Sequence, residues 1–153
     1  MAARRYWDSN CFLAWLQDED GHADRCQDVL DLAERGGIEI VTSVFTLTEV
    51  LRLRPKDALP AERRETVDRL FNRQSIQTMM LTRRISEMAR DLVWDHGINP
   101  RDSVHVASAV AAKITVLNTF DRGLIQKSRS IGNPPVTIEE PAVDEPELDF
   151  GKS

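Results

Sequence analysis

Short apolar, β-branched runs alternate along this chain with longer segments whose apolar residues return every three or four positions. The first pattern predicts strands and the second predicts amphipathic helices. Arg5–Trp7 reads as a short strand ending at Asp8, after which Phe12, Leu13 and Leu16 share one helical face in "SNCFLAWLQ". In "ADRCQDVLDLAERGG" the stripe is Cys26, Val29, Leu30 and Ala33, and Gly36-Gly37 stops the helix. "IEIVTS" is a strand, "SVFTLTEVLRL" a helix opened by Ser43 as N-cap, and "RPKDALP" a break. "AERRETVDRLFNR" is a helix with Val67, Leu70 and Phe71 inward, and "SIQTMML" is a strand. A helix from Thr82 places Ile85, Met88, Ala89, Leu92 and Val93 on one side. "NPRDSVHVASAVAAK" starts with Asn99 as cap and Pro100 in the first helical position. "ITVLNT" is a strand, "DRGLIQKSR" a short helix, and "PVTIEE" a last strand.

Strands alternating with helices predict an α/β fold, a short parallel sheet flanked by helices on both faces. The 153 residues suit one domain, and 41% hydrophobic content is ample for its core. No apolar run reaches the roughly 20 residues that span a bilayer, and no signal-length apolar stretch follows the N-terminus, so a cytoplasmic protein without membrane contact is expected. Cys11 and Cys26 form no ligand pattern and fall on apolar helical positions, as inert core thiols do.

Charge divides the chain. Residues 139–153 hold six acids and one lysine, so the net charge of −5 sits in that tail, and residues 1–138 balance 19 basic against 19 acidic residues. The expected organisation is a folded domain over 1–138 and an acidic tail over 139–153. Within the body, Arg52 to Arg90 carries ten basic and five acidic residues. That excess is either a phosphate-attracting face or a set of solvated helix faces.

Four acids fall where the chain should be apolar or turning. Asp8 follows the first strand, and Asp121 follows "ITVLNTF". Asp102 opens the helix that feeds the fourth strand, and Glu49 stands among Leu47, Val50 and Leu51. Each has an ordinary reading: Asp8 and Asp121 as helix caps, Asp102 as a complement to the helix macrodipole, Glu49 as a solvated residue. Jointly they point to a cleft, because sites in parallel sheets lie beyond the C-terminal strand ends. A divalent cation would offset their repulsion, and hard oxygen donors suit Mg2+ or Mn2+. His105 shares a face with Asp102 and is either a ligand, a proton carrier or a hydrogen-bonded supporting residue. Ser9, Asn10, Asn118 and Thr119 border the same edge, either orienting carboxylates or making turns.

The blocks "YWDSNCFLAWL", "TLTEVLRL" and "RDSVHVASAVAAKITVLNTFDRGL", in this order, resemble a PIN-domain ribonuclease, and most of all the VapC-type toxins of toxin–antitoxin pairs. The resemblance spans about residues 4–138. It implies the PIN-like three-layer sandwich and an acidic metal site of Asp8, Glu49, Asp102 and Asp121. Thr119 matches the family's frequent hydroxyl residue two positions before the last acid. The resemblance also implies a cognate antitoxin and a homodimer.

The residues and the resemblance agree on metal-assisted phosphodiester cleavage, and the resemblance implies a metal-dependent endoribonuclease. Asp8, Asp102 and Asp121 are the expected ligands, and Glu49 ligates or orients the attacking water. Single-stranded or looped RNA is the expected substrate, held by Arg52, Arg54, Arg83 and Arg84. A phosphatase with an aspartyl nucleophile would need a second Asp where Asn10 stands. The remaining alternative is a non-catalytic interaction module whose acidic pocket takes a partner's arginine.

Overall fold

Five parallel strands form one sheet in the order β3-β2-β1-β4-β5. They are β1 (Ala3–Trp7), β2 (Ile38–Ser43), β3 (Ile76–Met79), β4 (Val116–Asn118) and β5 (Thr137–Glu139). The computed structural model describes residues 2–50 and 59–143. Seven α-helices accompany the strands among these residues: α1 (Ser9–Leu16), α2 (Ala23–Glu34), α3 (Phe45–Glu49), α4 (Arg64–Phe71), α5 (Arg83–His96), α6 (Pro100–Ala111) and α7 (Arg122–Ile125).

Successive side chains of a strand point to opposite faces, so β1 sends Trp7 one way and Tyr6 the other. Trp7 joins Ile38, Ile40 and Ile76 under Phe12 and Leu13 of α1, Val29 and Leu30 of α2, and Leu70 of α4. Tyr6 joins Val41, Leu117 and Ile138 under Val106 and Ala109 of α6 and Leu124 of α7. Ile85 and Ala89 of α5 cover Ala107 of α6 from outside. The result is the expected three-layer sandwich.

Local signals fix most boundaries. The Thr82 hydroxyl accepts from Ile85 N at 3.2 Å, and Asn99 caps α6 from Oδ1 to Asp102 N at 2.9 Å. Gly97 ends α5 at φ +67°, a conformation that costs glycine little. Some boundaries differ from the pattern. β1 begins at Ala3 because Ala3 still pairs with Ile38. β4 is shorter than "ITVLNT", since Ile114 N is spent on Ala109 O at 2.9 Å as the chain leaves α6. Ser43 is the last residue of β2, and its hydroxyl receives Phe45 N at 3.1 Å from outside the helix it was expected to cap. The first turn of "AERRETVDRLFNR" is 3-10, over Ala61–Arg63. The C-terminal part of the helix expected through Leu53 lies outside the described residues, as do Arg52 and Arg54.

The chain runs β1, β2, β3 outward on one side, then returns to place β4 on the other side of β1. The order reverses between β1 and β4, where helices diverge to opposite faces and leave a crevice at the C-terminal strand ends. Beyond the last strand, Arg25 pairs with Glu140 at 3.2 Å, Arg5 donates to Ala142 O at 2.6 Å, and Val143 packs against the α1–α2 core. Residues 144–153 of the expected tail lie outside the described residues.

Candidate active site

All four acids line one cleft of about 400 Å³ at that crevice, together with Ser9, Asn10 and His105. Asp8 and Asp121 arrive there as caps, since a chain leaving a strand for a helix must satisfy free N–H groups. Asp8 Oδ1 accepts from Asn10 N at 3.1 Å. Asp121 Oδ1 accepts from Gly123 N at 2.9 Å and Leu124 N at 3.4 Å. Capping and site membership therefore coexist in the same carboxylates.

Thr119 joins the two strand ends. Its hydroxyl donates to Asp8 Oδ2 at 2.6 Å and accepts from Asn10 Nδ2 at 3.2 Å and Asp121 N at 3.1 Å. One donor and two lone pairs are all used. Asn10 completes the clasp by accepting Phe120 N at 3.1 Å through Oδ1. Thr119→Val, nearly isosteric, strands three polar groups at once. It should cost about 2–3 kcal/mol, measured by urea unfolding; a loss below about 0.5 kcal/mol would show that water replaces the hydroxyl.

Glu49 is the C-terminal residue of α3 and is buried. Its Oε1 receives the Ser9 hydroxyl at 2.5 Å and faces His105 Nε2 at 2.6 Å. His105 Nδ1 meets the Tyr6 hydroxyl at 2.7 Å, and that hydroxyl accepts Ser43 N at 3.1 Å. Both ring nitrogens of His105 are thereby engaged within the protein. Burial pushes the Glu49 carboxyl up, but the hydrogen bond and charge of His105, with Ser9 and Arg101, outweigh it and hold Glu49 below its usual range. Burial keeps the Tyr6 phenol protonated, well above the ordinary tyrosine range.

Asp8 and Asp102 respond in the opposite direction. Burial pushes Asp8 up to about 7, despite the His105 charge and the Thr119 bond, and Asp102 adds to the rise. Burial also raises Asp102 to about 6, helped by a side-chain hydrogen bond to Asp121 and the repulsion of that carboxylate. Asn99 Nδ2 donates to Asp102 Oδ2 at 2.7 Å, which only partly offsets this.

Asn118 does not reach the cleft. It is fully buried, taking Trp7 Nε1–H on Oδ1 at 3.0 Å and donating to Glu139 O at 3.4 Å. Arg83 is exposed and pairs with Glu87 at 3.2 Å, and neither it nor Arg84 lines the cleft. Residues the sequence reading did not single out are present instead: Arg101, Glu19, His22 and Phe120. Arg101 Nε lies 3.8 Å from Glu49 Oε2. A cation in the first turn of a helix opposes the macrodipole, which was a usable signal for Arg101. His22 gave none, because only tertiary folding brings it to Phe120.

The donor set fits a hard divalent cation. Among the described residues five carboxylates line the cleft against one arginine, and two of those carboxyls resist ionisation, chiefly because they are buried. Among the described residues no group of three or more His, Cys, Asp or Glu is drawn together as a ready metal cage. Magnesium does not require one, since it is typically held by one or two carboxylates, water and substrate phosphate. Asp8, Asp102 and Asp121 are the residues that would hold it.

A parallel sheet with an acidic crevice at its topological switch point places this chain among the α/β proteins built to act at strand ends. The PIN-domain family model matches residues 5–129, and the chain belongs to that family of nucleases. No curated protein matches the sequence. Among solved structures, the chain is similar to VapC20 of Mycobacterium tuberculosis, a sarcin–ricin loop cleaving toxin. The identity is 15%, coverage is 77% of this chain and 90% of that one, and the TM-score is 0.63. It is also similar to a chain of VapBC2 from Rickettsia felis bound to a promoter DNA fragment, at 17% identity, covering 90% and 98%, TM-score 0.63. A toxin–antitoxin complex from Klebsiella pneumoniae matches at 15% identity, covering 76% and 86%, TM-score 0.56. These likenesses show the fold. Among the described residues no helix is long and apolar enough to cross a membrane.

Proposed function

We propose that this chain is a cytoplasmic Mg2+- or Mn2+-dependent endoribonuclease, the toxin of a toxin–antitoxin pair. The observation that carries the reading is the meeting of Asp8, Glu49, Asp102 and Asp121 in one cleft of a PIN-family chain, from four separate segments. Asp8, Asp102 and Asp121 would hold the cation, which when bound would supply Lewis acidity toward water and the phosphate oxygens. Glu49, fixed at Oε1 by Ser9 and His105, presents Oε2 as the acceptor for the proton of the attacking water. Arg101, more than half exposed beside Glu49, contacts the phosphate. Asn10 and Thr119 keep the two strand ends in register.

Structural likeness to toxin–antitoxin complexes supports a cognate antitoxin as partner, and a homodimer is proposed alongside it. Residues 1–138 are proposed as the nuclease domain, with 139–153 as an acidic appendage. Arg52, Arg54, Arg83 and Arg84 are proposed as remote phosphate contacts.

The test is cleavage of single-stranded and hairpin RNA by the purified chain in Mg2+ or Mn2+, with EDTA as control. Cleavage should require the cation and be lost in Asp102→Asn. A chain that cleaves no RNA with either metal, yet binds an arginine-bearing peptide in the cleft, would be an interaction module instead. A salt titration of RNA binding in Ca2+ separates the arginines. Arg101→Ala, and Arg83→Ala with Arg84→Ala, should each flatten the slope by about one unit; an unchanged slope in the double variant would leave α5 as a solvated face.

A further inference from the structure

The ribonuclease reading leaves open how an acidic cleft attracts RNA. Among the described residues five carboxylates and a single arginine line it, so phosphates gain little there beyond the Arg101 contact even after a dication is bound. An uncharged part of the substrate can add affinity near the scissile bond without meeting that repulsion.

A surface suited to that stands in the same cleft. The rings of His22 and Phe120 stack face to face, centroids 3.9 Å apart and planes 14° from parallel. Phe120 lies between Thr119 and Asp121, and its ring packs against the α1–α2 core. His22 sits on its outer side, with 41% of its side chain exposed. Glu19 Oε1, 3.3 Å from His22 Nδ1, restrains rotation of the imidazole. The sequence core, Phe120, His22, cleft leaves one flat aromatic face outward, backed by a second ring and anchored one residue from Asp121. A histidine kept only for packing would not need an open face there.

We infer that the His22–Phe120 pair is a stacking platform for one nucleobase of single-stranded RNA next to the scissile phosphate. This rests on the ribonuclease reading and adds where the substrate is gripped. Bases stack on aromatic rings with little sequence preference, because every base has a π-face. The platform thus binds the part of the nucleotide that the surrounding carboxylates do not repel. Stacking also fixes the base relative to Asp121, since His22 rests on Phe120 and Phe120 is the residue before Asp121, which sets which phosphate reaches the acids.

The experiment is binding of fluorescent RNA octamers in Ca2+ to the full chain, comparing wild type, His22→Ala and His22→Trp. An abasic ribose is scanned through every position of the octamer. His22→Ala should weaken binding by about 5- to 150-fold, the equivalent of 1–3 kcal/mol for one stacked base. Its salt slope should match wild type, because no phosphate contact is lost. His22→Trp should restore affinity. One abasic position should weaken wild type and abolish the difference between wild type and His22→Ala.

Equal affinity of His22→Ala and wild type, or a weakening that no abasic position removes, overturns the platform. Metal-dependent cleavage of the same octamer by wild type, read in parallel, keeps the ribonuclease reading standing in that case. Absence of both binding and cleavage overturns both. A hexa-arginine peptide whose binding depends on His22, while RNA binding does not, would give the platform to a guanidinium of a protein partner and overturn the RNA assignment.

Discussion

Asp102→Asn should abolish RNA cleavage and yet melt higher than wild type in EDTA at pH 7.5. Losing a cation-holding carboxylate removes several kcal/mol of transition-state stabilisation, a rate loss of about 1,000-fold. Stability moves the other way because the Asp102 carboxyl is raised to about 6 by burial and by Asp121. An asparagine keeps an oxygen for Asn99 Nδ2 and offers Asp121 an amide donor in place of a repelling charge. The sign follows from linkage: a carboxyl raised in the folded state favours folding fully below its unfolded value near 4, and that advantage fades as pH rises through about 6. With allowance for solvent at this half-buried site, the substitution should gain about 1–2 kcal/mol at pH 7.5. That corresponds to about 2–6 °C, shrinking toward zero at pH 4.5. Asp8→Asn should gain less despite its deeper burial, because its amide would face a Thr119 hydroxyl whose lone pairs already serve Asn10 and Asp121. Thermal scans at the two pH values test this. An Asp102→Asn protein that melts well below wild type at pH 7.5 would make its place beside the Asn99 cap, not charge relief, the dominant property of the residue.

His105→Ala should be among the most destabilising single changes in the chain, at about 3–5 kcal/mol. His105 is 2% exposed and joins three buried groups: Glu49, the Tyr6 hydroxyl and Ser9. Removing it leaves a buried carboxylate without the partner that does most to keep it ionised and a buried phenol without its imidazole partner, in addition to a cavity beneath α6. Without His105 the Glu49 carboxyl should rise, since the His105 hydrogen bond and charge are what hold it down. Glu49→Gln in the His105→Ala background should recover part of the loss by removing the stranded charge. Chemical denaturation of the two single variants and the double variant closes a mutant cycle. Additive losses would mean that the histidine acts through packing alone.

What the sequence revealed was mainly what is decided locally. Thr82 and Asn99 with Pro100 mark helix starts through bonds three residues long, and these were legible. The alternation of strands and helices gave the parallel sheet, but the order β3-β2-β1-β4-β5 depends on which side the return crossover takes, which no local pattern states. The four acids could be grouped because Asp8 and Asp121 follow strands, Asp102 opens the helix that feeds a strand, and Glu49 stands among apolar residues of a helix that follows one. Their partners could not be read, since Glu49 and His105 are 56 positions apart and Asp8 and Thr119 are 111. Asn118 was grouped with Thr119, but Asn118, the last residue of β4, turns to Trp7 and Glu139, while the Thr119 hydroxyl, just beyond the strand, turns to Asp8. His22 was invisible because its partner, Phe120, is distant in the chain.

The position of β1 at the centre of the sheet has a consequence for timing. The chain emerges from the ribosome N-terminus first, at about 5–20 residues per second. Asp8 is therefore made 111 residues before Thr119, which with Asp121 follows the strand that flanks β1. A nascent chain that has released only β1, β2 and β3 has half a sheet, with Asp8 at its edge and no Asp121 to complete the centre. The four acids can thus meet only after β4 and the start of α7 have been made, and a fragment ending before Asp121 lacks the full set.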